Sequence, residues 1–296
     1  MNDKMIKVFI QGFEGSNHDL AAREYFGHLP IEVIPCMTFR ELFDRLTASP
    51  SMFGLVAMEN TLAGSLLPNY NLMRKSGMRI LGEQKMRISH QLLALPGQNL
   101  SDLNEVHSHP MALAQCEDFL LKHPHLKLIE TEDTALSAKM IRKESRKGIA
   151  AIASRLAGQL FDLDILASDI ESNPHNFTRF LLVGHAEQTH SGMLPLIENI
   201  NKSSLVFSLP HESGSLSRVL SVLAFYGVSL TKIQSLPVIG KEWEYLFYID
   251  LGFSDYHRYR QSLDAIRPLS IGLEVLGEYE THESRTMNAI PAKIAI

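Results

Sequence analysis

Five times in the first 160 residues, a short unbroken apolar run gives way to a polar cluster and then to helical spacing. Val8-Phe9-Ile10 leads through Gln11-Gly12-Phe13-Glu14-Gly15-Ser16-Asn17 to a helix at Leu20-Ala21-Ala22. Gly54-Leu55-Val56-Ala57-Met58 leads to Glu59-Asn60-Thr61, then Gly64-Ser65 and a helix near Asn69. Val106 precedes His107-Ser108-His109-Pro110, with proline at the first helical position. Leu128-Ile129 precedes Thr131-Glu132-Asp133-Thr134, where Asp133 is a good N-cap, and Gly148 to Ile152 precedes Ser154. Apolar strands without in-out alternation are covered on both faces, so the pattern predicts an α/β domain with a largely parallel sheet. Ligands of such sheets bind outside the carboxyl ends of the strands. That rim carries Glu59, Asn60, Thr61, Ser108, Thr134 and Ser154, mostly at helix starts. Each is open to two readings, a helix cap or part of a site for an anion at the positive end of a helix dipole. Five such junctions together point to an anionic small molecule without identifying it.

A second cluster is Asn173-Pro174-His175-Asn176-Phe177-Thr178-Arg179-Phe180, which runs straight into the apolar Leu181-Leu182-Val183. It brings an amide, a hydroxyl and a guanidinium to the start of a strand, a set suited to a carboxylate and a hydroxyl on one ligand. Other chemistries find no support. The chain has no GxxxxGK[ST] loop, no strand-linked GxGxxG and no HExxH, and His107 and His109 lack a third ligand nearby. No metal and no cofactor is expected. Net charge is -5 with no basic run, which argues against nucleic acid. The N-terminus lacks a leader-like apolar core, no stretch is long enough to span a bilayer, and Cys36 and Cys116 stand alone. A soluble cytoplasmic protein without a membrane partner is expected.

From Gly184 to about Lys202 the chain turns polar and irregular, which reads as a linker. Beyond it, Ser204–Leu209 reads as a strand, and Leu216, Val219, Leu220 and Leu223 recur at helical spacing. Val228–Leu236 and Tyr245–Leu251 read as two strands joined by a turn at Ile239-Gly240-Lys241. A helix bearing Tyr256, Tyr259, Leu263 and Ile266 and a final strand, Leu269–Tyr279, complete a β-α-β-β-α-β ferredoxin-like order. The tail after His282 has little periodicity and is expected to be loosely held.

These motifs, in this order, resemble prephenate dehydratase. The resemblance rests on Glu59-Asn60-Thr61 with Gly64-Ser65, Ser108-His109-Pro110 with Ala114-Gln115-Cys116, Asp133-Thr134, Ala151-Ile152-Ala153-Ser154 and Asn176-Phe177-Thr178-Arg179-Phe180. Gly214-Ser215-Leu216 and Leu230-Thr231-Lys232-Ile233-Gln234-Ser235-Leu236-Pro237 resemble that family's ACT regulatory domain. The resemblance implies a two-lobed catalytic domain of the periplasmic-binding-protein type (type 2) over 1–185, with a second lobe at about 83–165. A linker over 186–202, an ACT domain over 203–282 and a tail over 283–296 would follow. The implied reaction converts prephenate to phenylpyruvate, carbon dioxide and water, on the way to phenylalanine.

By the same resemblance, Thr178 serves the departing ring hydroxyl, and Arg179 holds the pyruvyl carboxylate or the cleft architecture. Glu59 orients neighbours. Asn60, Ser108 and Gln115 contact substrate, with Thr61, Thr134, Ser154, Asn176 and Phe177 beside them. The motifs show no further acid poised for an ammonium, which favours prephenate over arogenate. Where the family reads Glu-Ser-Arg-Pro, this chain has Gln234-Ser235-Leu236-Pro237. Phenylalanine control would then rest on groups at Gly214, Ser215, Leu216, Leu230 and Thr231. ACT domains pair through edge strands, so a homodimer or homotetramer is expected.

Overall fold

The computed structural model describes residues 5–190, 199–238, 240 and 243–289. The chain divides into two compact units, Met1–Leu66 with Gln84–Phe180, and Leu67–Glu83 with Leu181–Ile296.

The first unit opens with β1 (Ile6–Gln11), α1 (Asn17–Phe26), β2 (Ile31–Cys36), α2 (Phe39–Thr47), β3 (Phe53–Asn60) and a short β4 (Gly64–Ser65). Val8, Ile10, Phe53 and Leu55 are wholly buried, the outcome expected of strands that are apolar throughout. Helix α1 is capped by Ser16, which accepts from the Asp19 N–H, and α2 by Thr38, which accepts from the Glu41 N–H. The chain then runs through α3 (Leu67–Ser76) into β5 (Arg79–Arg87), which carries it from the second unit back into the first.

A second lobe follows: β6 (Gln91–Ala94), β7 (Glu105–Ser108), α4 (Pro110–Gln115), α5 (Glu117–Leu121), β8 (Lys127–Glu130), α6 (Thr134–Glu144), β9 (Ile149–Ala153), α7 (Arg155–Leu160) and β10 (Asp164–Ala167). Its sheet order is β10-β6-β9-β7-β8. One face packs Leu92, Val106, Leu113 and Ile152, and the other packs Leu93, Ala135, Ile141 and Ala151. Strand β11 (Phe177–Gly184) returns to the first sheet, whose order is β2-β1-β3-β11-β5 with β4 on β3.

Strands β1, β2 and β3 are parallel, as are β7, β8 and β9. The sequence predicts a largely parallel sheet, but β6 and β10 run antiparallel to their neighbours. They are the strands by which the chain enters and leaves the lobe, so neither closes a helical crossover of the kind that imposes parallel pairing. Two α/β sheets joined by two crossings, β5 to β6 and β10 to β11, form the periplasmic-binding-protein-like fold of type 2.

In the second unit, β12 (Lys202–Ser208), α8 (Ser215–Phe225), β13 (Ser229–Pro237), β14 (Tyr245–Gly252), α9 (Tyr256–Ile266) and β15 (Ile271–Tyr279) follow the ferredoxin-like order. The sheet runs β13-β14-β12-β15, all pairs antiparallel. Val219, Leu223, Tyr259, Leu263 and Ile266 face its core at helical spacing, while Tyr256 is exposed. Tyr259 stacks flat on Phe253 with 4.0 Å between ring centroids. Of the expected turn, Gly240 takes a left-handed φ of 83°, whereas Ile239 and Lys241 lie outside the described residues, as do 191–198 of the expected linker.

The segment after Thr281 is helical, α10 (His282–Ala289), although its sequence shows little periodicity. Its anchor is polar: Thr281 caps Ser284 N–H, and the His282 N–H donates to Glu83 Oε1. The other Glu83 oxygen pairs with Lys202 Nζ at 2.8 Å, and both side chains are almost wholly buried.

Candidate active site

Within the first unit lies a cavity of about 350 Å³, lined from one lobe by the ends of β1 and β3 and the start of α1 and β11. From the other lobe α4 and the start of α6 line it. Two loop glycines let the lobes approach. Gly15, at φ 83°, lies so close to Ala157 that a Cβ would meet its Cα at 3.0 Å. Gly12, at φ 94°, would place one 3.1 Å from Asp133 Oδ2. Ser154 Oγ donates to the Gly15 carbonyl across the same contact.

The polar heart of the cavity is a run of side chains from distant parts of the sequence. Asn60 sits at the last residue of β3, and its Oδ1 accepts from the Leu62 and Ala63 N–H groups at 2.9 Å each. That leaves its Nδ2 to donate to Asn176 Oδ1 at 2.7 Å and to Thr178 Oγ1 at 3.0 Å. Asn176 Nδ2 donates to Gln115 Oε1 at 3.1 Å, and His90 Nε2 approaches the same oxygen at 2.9 Å. Thr61 fixes the return strand: it accepts from the Phe177 N–H at 2.9 Å and donates to the His175 carbonyl at 2.7 Å.

Of the residues expected at the site, Asn60, Gln115, Thr134 and Thr178 line the cavity. Asn176 is wholly buried behind them. Thr61 and Phe177 stand outside the lining, Thr61 spent on the return strand and Phe177 at 42% exposure. Ser108 is wholly buried, donating to the Ile152 carbonyl at 2.6 Å, and Ser154 caps α7. Neither lines the cavity. Arg179 pairs with Glu59 at 3.0 Å, and both lie outside the lining. Among the described residues, neither lysine nor arginine lines this cavity.

The lining also holds residues to which the sequence assigns no contact with substrate. His18, His90, His109, Glu132, Asp133 and Phe180 all contribute. The His18 ring stands edge-on to Phe180 at 5.0 Å, and its Nε2 is buried without a hydrogen-bond partner. Burial pushes that imidazole down to about 4, so it is neutral at pH 7. His90 is lowered by burial too, against the Gln115 hydrogen bond and the Glu171 charge, which raise it. Asp133 is raised by burial, opposed by the Leu136 and Ala135 N–H groups and by His109. His18 lies in the first turn of α1, two residues after the cap Ser16.

The wall thus offers neutral amides, a hydroxyl, imidazoles and two helix starts, with carboxyl groups at one side. It suits a small ligand that carries carboxylates and a hydroxyl. The prephenate dehydratase family profile matches residues 8–188. An arogenate dehydratase/prephenate dehydratase 2 of Arabidopsis thaliana is 34% identical over 94% of this chain and 74% of its own length. A solved prephenate dehydratase of Arthrobacter aurescens, in complex with L-Phe, superposes with a TM-score of 0.79 at 27% identity, covering 94% of this chain and 91% of that one. A further structure, GqqA, described as a novel type of quorum quenching acylase, has a TM-score of 0.82 and 30% identity over 94% of this chain and 99% of its own. Among the described residues, no helix is long and apolar enough to cross a membrane. With the family profile spanning both lobes and the cavity between them, the chain belongs to the prephenate dehydratases, which are carbon–oxygen lyases.

Proposed function

We propose that the cavity carries out the decarboxylative dehydration of prephenate to phenylpyruvate. The observation that carries this reading is the direction of the Asn60–Thr178 hydrogen bond. Because Asn60 Oδ1 is committed to two backbone N–H groups, its Nδ2 must donate to Thr178 Oγ1, and the Thr178 hydrogen is left to donate elsewhere. It would meet the ring hydroxyl as that group leaves.

As the ring carbon–carboxylate bond breaks, its electron pair enters the ring, the carbon–oxygen bond breaks, and carbon dioxide departs. The hydroxide takes up one proton and leaves as water. A threonine hydroxyl is a weak acid, so it stabilises the departing oxygen by hydrogen bonding, and the net proton comes from solvent. A cation on the departing carboxylate would stabilise the ground state more than the transition state. A wall without lysine or arginine supports this chemistry. The retained pyruvyl carboxylate would lie at the start of α1, where the first helical N–H groups carry partial positive charge; the start of α6 is taken by its own cap, Asp133.

A second substrate is supported by a feature that the sequence reading did not anticipate. Glu132 and Asp133 line the cavity, so acids are available to an ammonium, and arogenate would be accepted beside prephenate. An acylase of the kind named for GqqA that used Thr178 as its nucleophile would require that hydroxyl to be paired with a base. The Thr178 hydroxyl is paired with an amide nitrogen.

Residues 203–282 would form an ACT domain that binds phenylalanine. Gly214, at φ 78°, precedes α8, Ser215 is buried, and Leu230 and Thr231 lie on the edge strand β13. That edge supports pairing with a second copy. Incubation with prephenate at neutral pH, with arogenate in competition and phenylalanine titrated, tests these readings. Thr178→Val should lower kcat by on the order of 100-fold or more. Undiminished turnover by that variant would remove the hydroxyl from the mechanism. No turnover of either substrate by the unmodified protein would remove the reading itself.

A further inference from the structure

The direction of hydrogen bonding does not stop at Thr178, and it reaches a histidine that no motif pointed to. Asn176 Oδ1 receives from Asn60, so Asn176 must donate through Nδ2, and Gln115 Oε1 must accept. An amide oxygen has nothing to donate, so the second group on Gln115 Oε1, His90 Nε2 at 2.9 Å, must carry a proton. The tautomer of His90 is therefore set by two backbone N–H groups at Leu62 and Ala63, through the three side chains of Asn60, Asn176 and Gln115. The other ring nitrogen agrees. His90 Nδ1 is buried with no hydrogen-bond partner, which costs less for a lone pair than for an N–H. His90 is 3% exposed, and its backbone is tied at both sides, its N–H to Glu171 Oε2 at 2.9 Å and its carbonyl to the Ile170 N–H at 3.0 Å. Glu171 is itself held by Arg87 at 2.6 Å.

Building on the proposed dehydration, we infer that His90 is a positioning residue for this site: its Nε2–H locks the Gln115 amide, and through Asn176 and Asn60 it fixes which way the Thr178 hydroxyl donates. With Oε1 held by two donors, the Gln115 Nε2 hydrogens remain to donate, and Gln115 lines the cavity along with Thr178. Removing the His90 donor leaves a single bond on Oε1, so the amide is free to reverse. Reversal would oppose two N–H groups between Gln115 and Asn176 and release the whole run.

The experiment compares His90→Leu with His90→Gln, whose amide restores an N–H donor at similar reach. His90→Leu should lower kcat by on the order of 10- to 100-fold with KM changed less than about 3-fold, because the lost alignment matters most as the hydroxyl departs. His90→Gln should recover most of that loss. In a Gln115→Leu background, His90→Leu should cost little further, since both act through one amide. Equal impairment of the Leu and Gln variants, or full additivity with Gln115→Leu, would make His90 a packing residue and overturn the inference. Thermal unfolding of each variant identifies any that fail to fold. A readout independent of turnover is the long-range ¹H–¹⁵N spectrum of histidine-labelled protein. It should show the Nε2–H tautomer for His90, and the Nδ1–H tautomer would overturn the arrangement. If the unmodified enzyme turned over no substrate, the functional reading would fall, while this spectrum would still decide the hydrogen-bond order.

Discussion

His18 shows how a single side chain couples the cavity to stability. Its imidazole holds a value of about 4 when folded, against an ordinary value of 6.5 when exposed. Between those limits the unfolded chain binds a proton that the folded chain refuses, so stability is fully present above pH 6.5 and falls as pH drops towards 4. His18 as a whole is half-buried, and with that allowed for the loss amounts to about 2 kcal/mol. Lowered for the same reason, His90 acts in the same direction. Urea unfolding midpoints at pH 7.5 and pH 5 check this: His18→Gln should flatten the difference, and an unchanged difference would assign it to other groups. No local pattern in the sequence reveals such a histidine. The ring lies among Phe39 and Phe180, from segments far apart along the chain.

At the scale of elements, the legible parts were those in which cause and effect are neighbours. Asp133, Ser154 and Pro110 stand at helix starts as their spacing requires, because a cap acts within three residues of itself. The βαββαβ order of the second unit followed from periodicity alone. The tail helix α10 did not, because its anchor lies at Glu83, about two hundred positions earlier. That anchor is also the partner of Lys202, and the pair has almost no access to water. Lys202→Ala would leave a buried carboxylate without its cation and should cost about 3–5 kcal/mol, read as a drop in unfolding free energy. Lys202→Met combined with Glu83→Leu should recover most of it, and failure to recover would mean that the carboxylate serves another group.

Across the first unit, the site is an assembly of parts that the sequence keeps separate. Asn60 and Thr178 are 118 residues apart, and Gln115 reaches them from the other lobe. The motifs named most of these residues, but their pairing, and the placement of Ser108 and Arg179 away from the cavity, depended on tertiary packing. The lobes meet where Gly15 faces Ala157, with no room for a side chain. Gly15→Val adds strain at a left-handed φ and a wedge at that contact, so it should raise KM for substrate more than it lowers kcat. Steady-state kinetics check this, and a change confined to kcat would place the defect elsewhere.

A wall that meets an anion with dipoles has a consequence for the solution around it. Dipolar fields fade within a few ångströms, so they neither draw a charged substrate from a distance nor weaken much when salt shortens the reach of full charges. Between 50 and 500 mM sodium chloride, kcat/KM should change by less than about 3-fold, whereas a guanidinium clamp would lose on the order of 10-fold. Such a catalyst would keep its pace through wide swings in ionic strength, and capture would depend on how much substrate is present, with little help from long-range attraction.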